Sequence, residues 1–279
     1  MKRENQSSMS KFLLLGLPIQ PEQQAVFFAL SLGMYLITVL GNLLIILLIR
    51  LDSHLHIPVY FFLSHLALTD ISPSSVMDQS ILYAGCVTQM YFFIFFTDLD
   101  NFLLTSMAYD WYVVICHPLR YTTIMKEGRC NLLVAVSWIL SCTNALSHTL
   151  LLAPLSFCVD NTIPYFFCDL IALLKLSRSD ISLNELVIFT VGQAVITLPL
   201  ICILISYGHM GVIILKAPST KGIFNALSTC GSHLSVVSLY YGTIIGLYFL
   251  PSSSASIEGS LERLFNRKTV FFFFFFIIL

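Results

Sequence analysis

Charge is the scarcest property of this chain. Charged residues make up 10% of it and hydrophobic residues 57%, where a soluble globular protein carries roughly 25% charged residues. That shortage excludes an ordinary water-solvated surface. A net charge of −1 from scattered cations also excludes a basic nucleic-acid face. Other absences narrow the field further. Strict two-residue alternation, which a membrane-spanning barrel needs, is missing. No glycine-rich phosphate loop, HExxH metal motif or GxSxG serine elbow occurs. Ser232 and His233 are adjacent, but adjacency on a helix does not make a catalytic pair. The chain is therefore not expected to be an enzyme. It shows no internal repeat of the transporter sort and no polar stripe to line a pore. The first 24 residues lack the charged, apolar and small-residue order of a cleaved signal peptide.

Long apolar runs are what the chain has instead. About 20 apolar residues cross a bilayer core of about 30 Å as a helix, which satisfies its own backbone polar groups in lipid. Six such runs are clear: Ala25–Ile49, Ile57–Met77, Gly85–Ile115, Leu132–Leu152, Leu186–Leu204 and Leu227–Leu250. The predicted fold class is all-α, a polytopic transmembrane helix bundle. It divides into an extracellular segment 1–24, a bundle 25–250 and a degenerate segment 251–279, and the first span serves as an uncleaved signal-anchor. With the N-terminus outside, Arg50, Arg120, Lys126, Arg129, Lys216 and Lys221 lie inside, and Lys2, Arg3, Lys11, Lys175 and Arg178 outside. Arg263, Arg267 and Lys268 strengthen the positive-inside bias if the tail is cytoplasmic, which requires a seventh crossing. Residues 251–269 are serine-rich and charged, and Val270–Leu279 is ten residues, about 15 Å of helix. The pattern suggests a seven-span ancestor with six spans present.

Cys116, Cys130, Cys142, Cys202 and Cys230 fall in membrane or cytoplasmic positions, where a free thiol is expected. Cys86, Cys158 and Cys168 fall outside, where an oxidising environment permits one bridge and leaves a third cysteine over. Asn5-Gln6-Ser7 is an N-glycosylation acceptor.

Several blocks occur in order. Gly41-Asn42 lies in span one. Leu55-His56-Ile57-Pro58-Val59-Tyr60-Phe61-Phe62-Leu63-Ser64 opens span two, and Asp70 follows. Met107-Ala108-Tyr109-Asp110-Trp111-Tyr112 and Ile115-Cys116-His117-Pro118-Leu119-Arg120-Tyr121 close span three. Trp138, Ser206-Tyr207, Leu227-Ser228-Thr229-Cys230-Gly231-Ser232-His233-Leu234 and Tyr241-Gly242-Thr243 mark spans four to six. Over about residues 5–250 the set resembles the odorant receptors, tetrapod class II, a branch of the rhodopsin-like G-protein-coupled receptors. The resemblance implies a Cys86–Cys168 disulfide and a multi-pass protein of the plasma membrane. It also implies a small volatile ligand bound between spans three, five and six, and a stimulatory heterotrimeric G protein that raises cyclic AMP. Four departures stand out. Trp111 occupies the position of the arginine in the MAYDRY motif. The 28-position interval from Pro58 to Cys86 is short for the family. Arg178 stands where a third loop cysteine is usual. The seventh span with its NPxIY-like motif is absent. These departures leave a second reading, a non-signalling remnant retained in the endoplasmic reticulum or acting as a partner in a receptor oligomer.

Specific residues carry these expectations. Asp70 and Asp100 are ionisable groups inside the membrane, which default to functional readings. At similar depth they cannot both ionise freely, so a sodium ion or a shared proton would relieve them. The bland alternative is one protonated acid bonded to Asn42. Asp98 and Asn101 are three apart on one helix face, and Phe93, Thr97 and Asn101 share a face at i, i+4, i+8. A volatile ligand suits an apolar pocket with a few orienting polar groups. Phe93, Ile94, Thr97, Val191, Tyr241, Ile245 and Tyr248 fit, with Asp98 either orienting a ligand or pairing within the bundle. His148 reads as a satisfied polar residue. Asp110, Trp111, Tyr112 and Tyr207 occupy the coupling positions. Trp111 offers one indole N–H and no charge, which predicts weak coupling.

Overall fold

The computed structural model describes residues 11–14, 21–51, 58–71, 80–155, 162–163, 168, 170–177, 179–216, 230–242 and 244. Asn5, Cys158, Arg178, the side chain of Asp70, Ile245, Tyr248 and the segment 251–279 lie outside the described residues. The helices are α1 (Pro21–Leu51), α2 (Pro58–Ile71), α3 (Tyr83–Cys116), α4 (Tyr121–Ile124), α5 (Glu127–Leu152), α6 (Leu170–Lys175), α7 (Ser182–Leu215) and α8 (residues 230–242). A five-residue π turn, Ile188–Gly192, interrupts α7.

α3 is the axle of the bundle. Its 34 residues make about 51 Å of helix, longer than a bilayer core, so both ends project. It is apolar on every side, as a helix surrounded by others must be. Phe95, Leu99, Leu103, Met107 and Val113 join Phe62 and Leu63 of α2 and Val134 and Ala145 of α5. Leu104 and Ala108 face the other way, toward Ile203 of α7 and Val236, Val237 and Tyr240 of α8. Around this packed axle the outer helices turn leucine outward. Leu40 is 63% exposed and Leu204 58%, a distribution that suits hydrocarbon and would be an association hazard in water. α5 and α7 are long and apolar enough to cross a membrane.

Three short strands close one end of the bundle. β1 (Lys11–Leu14) pairs antiparallel with β2 (Ser80–Leu82) in the register Lys11↔Leu82, and parallel with β3 (Thr162–Ile163) in the register Leu13↔Thr162. The N-terminal segment, the approach to α3 and the loop after α5 therefore meet at one face, as an alternately crossing chain requires. Cys86 and Cys168 are joined by a disulfide at the same end. The Cys168 N–H donates to Gln89 Oε1 at 3.2 Å, and Asn184 Nδ2 donates to the Leu151 carbonyl at 3.1 Å.

The helix limits differ from the apolar runs in instructive ways. α5 begins at Glu127 rather than Leu132, because the acidic residue suits the positive end of the helix dipole. The helix of span five continues from Leu204 to Leu215. His209 and the small residues Gly208 and Gly211 break the apolar run there without breaking the backbone hydrogen bonds. α2 is described to Ile71, six residues short of Met77, and the intervening residues lie outside the described set.

Candidate functional site

Pro199 lies inside α7. It has no N–H, so the carbonyl four residues earlier, that of Val195, loses its helical donor. Asn101 of α3 supplies one: its Nδ2 donates to the Val195 carbonyl at 2.7 Å. Tyr241 of α8 donates its hydroxyl to Asn101 Oδ1 at 2.5 Å. Its neighbour Tyr240 donates to the Thr97 carbonyl at 2.7 Å. One buried amide thus ties α3, α7 and α8 together, with Asn101 2% and Tyr241 4% exposed. In a medium without water an unpaired carbonyl is costly, so the proline and the amide make sense only together.

The face-sharing of Phe93, Thr97 and Asn101 holds to this extent: Thr97 and Asn101 both meet α8. Of the two expectations for Asp98, orienting a ligand or pairing within the bundle, its hydrogen bond fits the second, although it does not share the interface of Asn101. Asp98 accepts from Asn144 Nδ2 of α5 at 2.7 Å, on the α5 side of α3. Residues three apart differ by about 60° around a helix, which is enough to divide them between two interfaces. Of the expected ligand-contact residues, Phe93, Ile94 and Thr97 are half-buried, and Ile94 packs between the central and outer cores. Val191 is 41% exposed on the π turn, and Val195, one turn on, meets α3 in its place. His148 is buried on α5. Asn42 is buried and Asp100 half-buried, each with an interaction of its own.

A separate cavity opens at the outer end. Ile171, Leu174, Ile181, Glu185, Ile188, Phe189 and Gln193 line an open depression of about 370 Å³ between α6 and the start of α7. Sequence reading missed it, because the loop helix α6 that forms one wall leaves no periodic signal of its own.

At the inner end Trp111 is half-buried and packs against both the central core and a cluster of Met210, Ile214 and Cys230. Asp110, 1% exposed, accepts a hydrogen bond from the Tyr121 hydroxyl of α4 at 3.1 Å. A neutral phenol from the loop thus occupies the carboxyl beside the position of the motif arginine. Burial pushes the Tyr121 hydroxyl well above its ordinary range, and the Asp110 charge and hydrogen bond add to this. Tyr112 lies 3.4 Å from His117 Nε2. Tyr207 is bonded to His233 Nδ1 at 2.7 Å, with the rings stacked, so it ties α7 to α8.

A buried axle, a disulfide-closed end, a hydrogen-bonded knot and a packed opposite end make up a helical bundle of the membrane-spanning kind. A family model described as olfactory receptor matches residues 30–275, a match that runs past the end of span six. Human olfactory receptor 1J4 is 79% identical over 310 aligned residues, covering 97% of this chain and 99% of the relative. That alignment is longer than the 279-residue chain, so the relative has residues that this chain lacks. Human olfactory receptor 1J2 is 72% identical, covering 92% and 86%. Mouse olfactory receptor 1J1 is 65% identical, covering 94% and 87%. The chain belongs to the olfactory receptor family, a family of receptors and not of enzymes.

Proposed function

We propose that this receptor binds a small volatile molecule inside the bundle and passes the event to a stimulatory G protein and adenylate cyclase at the plasma membrane. The observation that carries the reading is the knot of Asn101, Val195 and Tyr241, which couples three helices at one buried point. A ligand lodged against Phe93, Ile94, Thr97 and Tyr241 would press on that knot. It would favour an active arrangement only through better contacts in that arrangement. Asn101 acts in the knot more than on the ligand, since both ends of its amide are engaged. Asp110, Trp111, Tyr112 and Tyr207 form the coupling end, and a sodium ion near Asp70 and Asp100 would stabilise the resting arrangement. A second reading, a non-signalling partner within a receptor oligomer, is favoured by Trp111, which brings no cation to the coupling end.

The test is a cyclic-AMP assay over an odorant panel, with surface staining of the same cells. The expected result is surface-stained chain that responds weakly, and a larger response after Trp111→Arg. Surface-stained Trp111→Arg that answers no odorant would leave the non-signalling reading standing.

A further inference from the structure

We propose that Asp98 and Asn144 form a proton-binding site between α3 and α5, in which a neutral carboxyl and the amide hold each other by two antiparallel hydrogen bonds. One of these bonds is seen: Asn144 Nδ2 donates to Asp98 Oδ2 at 2.7 Å. The other is called for by an orphan. Both residues are 8% exposed, and Asn144 Oδ1 is buried without a donor. Ser141, one turn away on the same face of α5, is fully buried with its hydroxyl also unpaired, so it does not serve that oxygen. An ionised carboxylate can only accept, whereas a protonated one carries an O–H to donate. A proton taken from the water phase onto Asp98 Oδ1 gives Asn144 Oδ1 the donor it lacks and removes the charge in the same step.

Among the described residues, no fixed positive charge lies near Asp98. α2 and α3 contain no Lys or Arg, and the one cation of α5, Arg129, is fifteen residues from Asn144, about 22 Å along the helix. Besides Arg129, the titratable residues on these helices are Tyr60, His65 and Asp70 on α2, Tyr83, Tyr91, Asp100, Tyr109, Asp110, Tyr112 and Cys116 on α3, and Glu127, Cys130, Cys142 and His148 on α5. None of those whose side chains are described is bonded to Asp98. Tyr91 is engaged with Cys142 and Asp110 with Tyr121. A lone carboxylate against one neutral amide, with apolar helices around it, is the costly case, and neutralisation is the usual escape. This site stands apart from the odorant reading.

The test is infrared spectroscopy of the full chain in lipid nanodiscs at about pH 7, far above the ordinary aspartate value of about 3.9. The expected result is a protonated-carboxyl C=O band that shifts in heavy water. It should vanish in Asp98→Asn and survive in Asp70→Asn and Asp100→Asn. Asp98→Asn, whose amide can make both bonds, should keep near wild-type surface levels, while Asp98→Ala should lower them several-fold. Absence of the band, its survival in Asp98→Asn, or its loss when sodium replaces choline would overturn the proposal, the last by making the site a cation site. Equal loss of surface protein in Asp98→Asn and Asp98→Ala would also overturn it.

Discussion

The two ends of this receptor are held by different kinds of force. The outer end is closed by a disulfide, a three-stranded patch, the Cys168 N–H bond to Gln89 and the Asn184 bond to the Leu151 carbonyl. The inner end has no covalent tie among the described residues. It rests on Trp111 packing, the Tyr121–Asp110 bond and the Tyr207–His233 bond. Between them sits the Asn101 knot. The contrast teaches where separation is cheap: parting the outer end breaks a covalent bond or a ladder, whereas parting the inner end breaks only side-chain packing and hydrogen bonds among the described residues.

The largest effect should come from breaking the outer end. Cys168→Ala removes the staple, and loss of a native disulfide costs about 2–5 kcal/mol. We expect little or no surface-stained chain and a clear fall in detergent melting temperature. Next comes the knot. Asn101→Leu leaves the Val195 carbonyl and the Tyr241 hydroxyl without partners, for about 1–3 kcal/mol. Pro199→Ala should soften that loss, because it restores the helical N–H to Val195. The double-mutant cycle in a thermal unfolding series therefore reads the coupling directly, and additive losses would show that the two residues are independent.

At the inner end, Tyr121→Phe should cost less, about 1 kcal/mol, and raise basal cyclic AMP in the Trp111→Arg background. The comparison of the ends fails if Tyr121→Phe destabilises as much as Cys168→Ala. The smallest effect is expected just outside α7. Asp180 is exposed and accepts from the Ser182 hydroxyl at 2.6 Å and the Ser182 N–H at 3.0 Å, which hold its carboxyl below the ordinary value. A depressed carboxylate contributes above its unfolded pKa and ceases to contribute as pH falls through the folded one. Ser182→Ala should move the Asp180 titration upward in a carboxyl-labelled NMR experiment and leave the melting temperature unchanged.

Much of this was legible in the apolar runs. A helix in lipid must be long, apolar and self-bonded, so α1, α3, α5 and α7 announce themselves. The Cys86–Cys168 bridge followed from the resemblance. What did not show were contacts set by rotation about α3. Asp98 and Asn101 read as one face, yet the structure divides them between α5 and α7–α8, because a 60° step was resolved only by packing. The Asn101–Val195 bond had a usable signal, a proline in an apolar helix that frees a carbonyl four residues back. Its partner, 94 positions away in sequence, could not be chosen without the fold. The strands were too short for any period to register.

The π turn at Ile188–Gly192 bears on how such receptors diversify. A wide turn adds a residue without adding a step of rise, so the helix outward of it is rotated by about 100° relative to an unbroken one. Deleting one residue there would swing Glu185 and its neighbours to a new bearing at the mouth while Val195, inward of the turn, kept its place against Asn101. A one-residue deletion thus re-aims the outer turns of α7 and leaves the Val195–Asn101 bond in place.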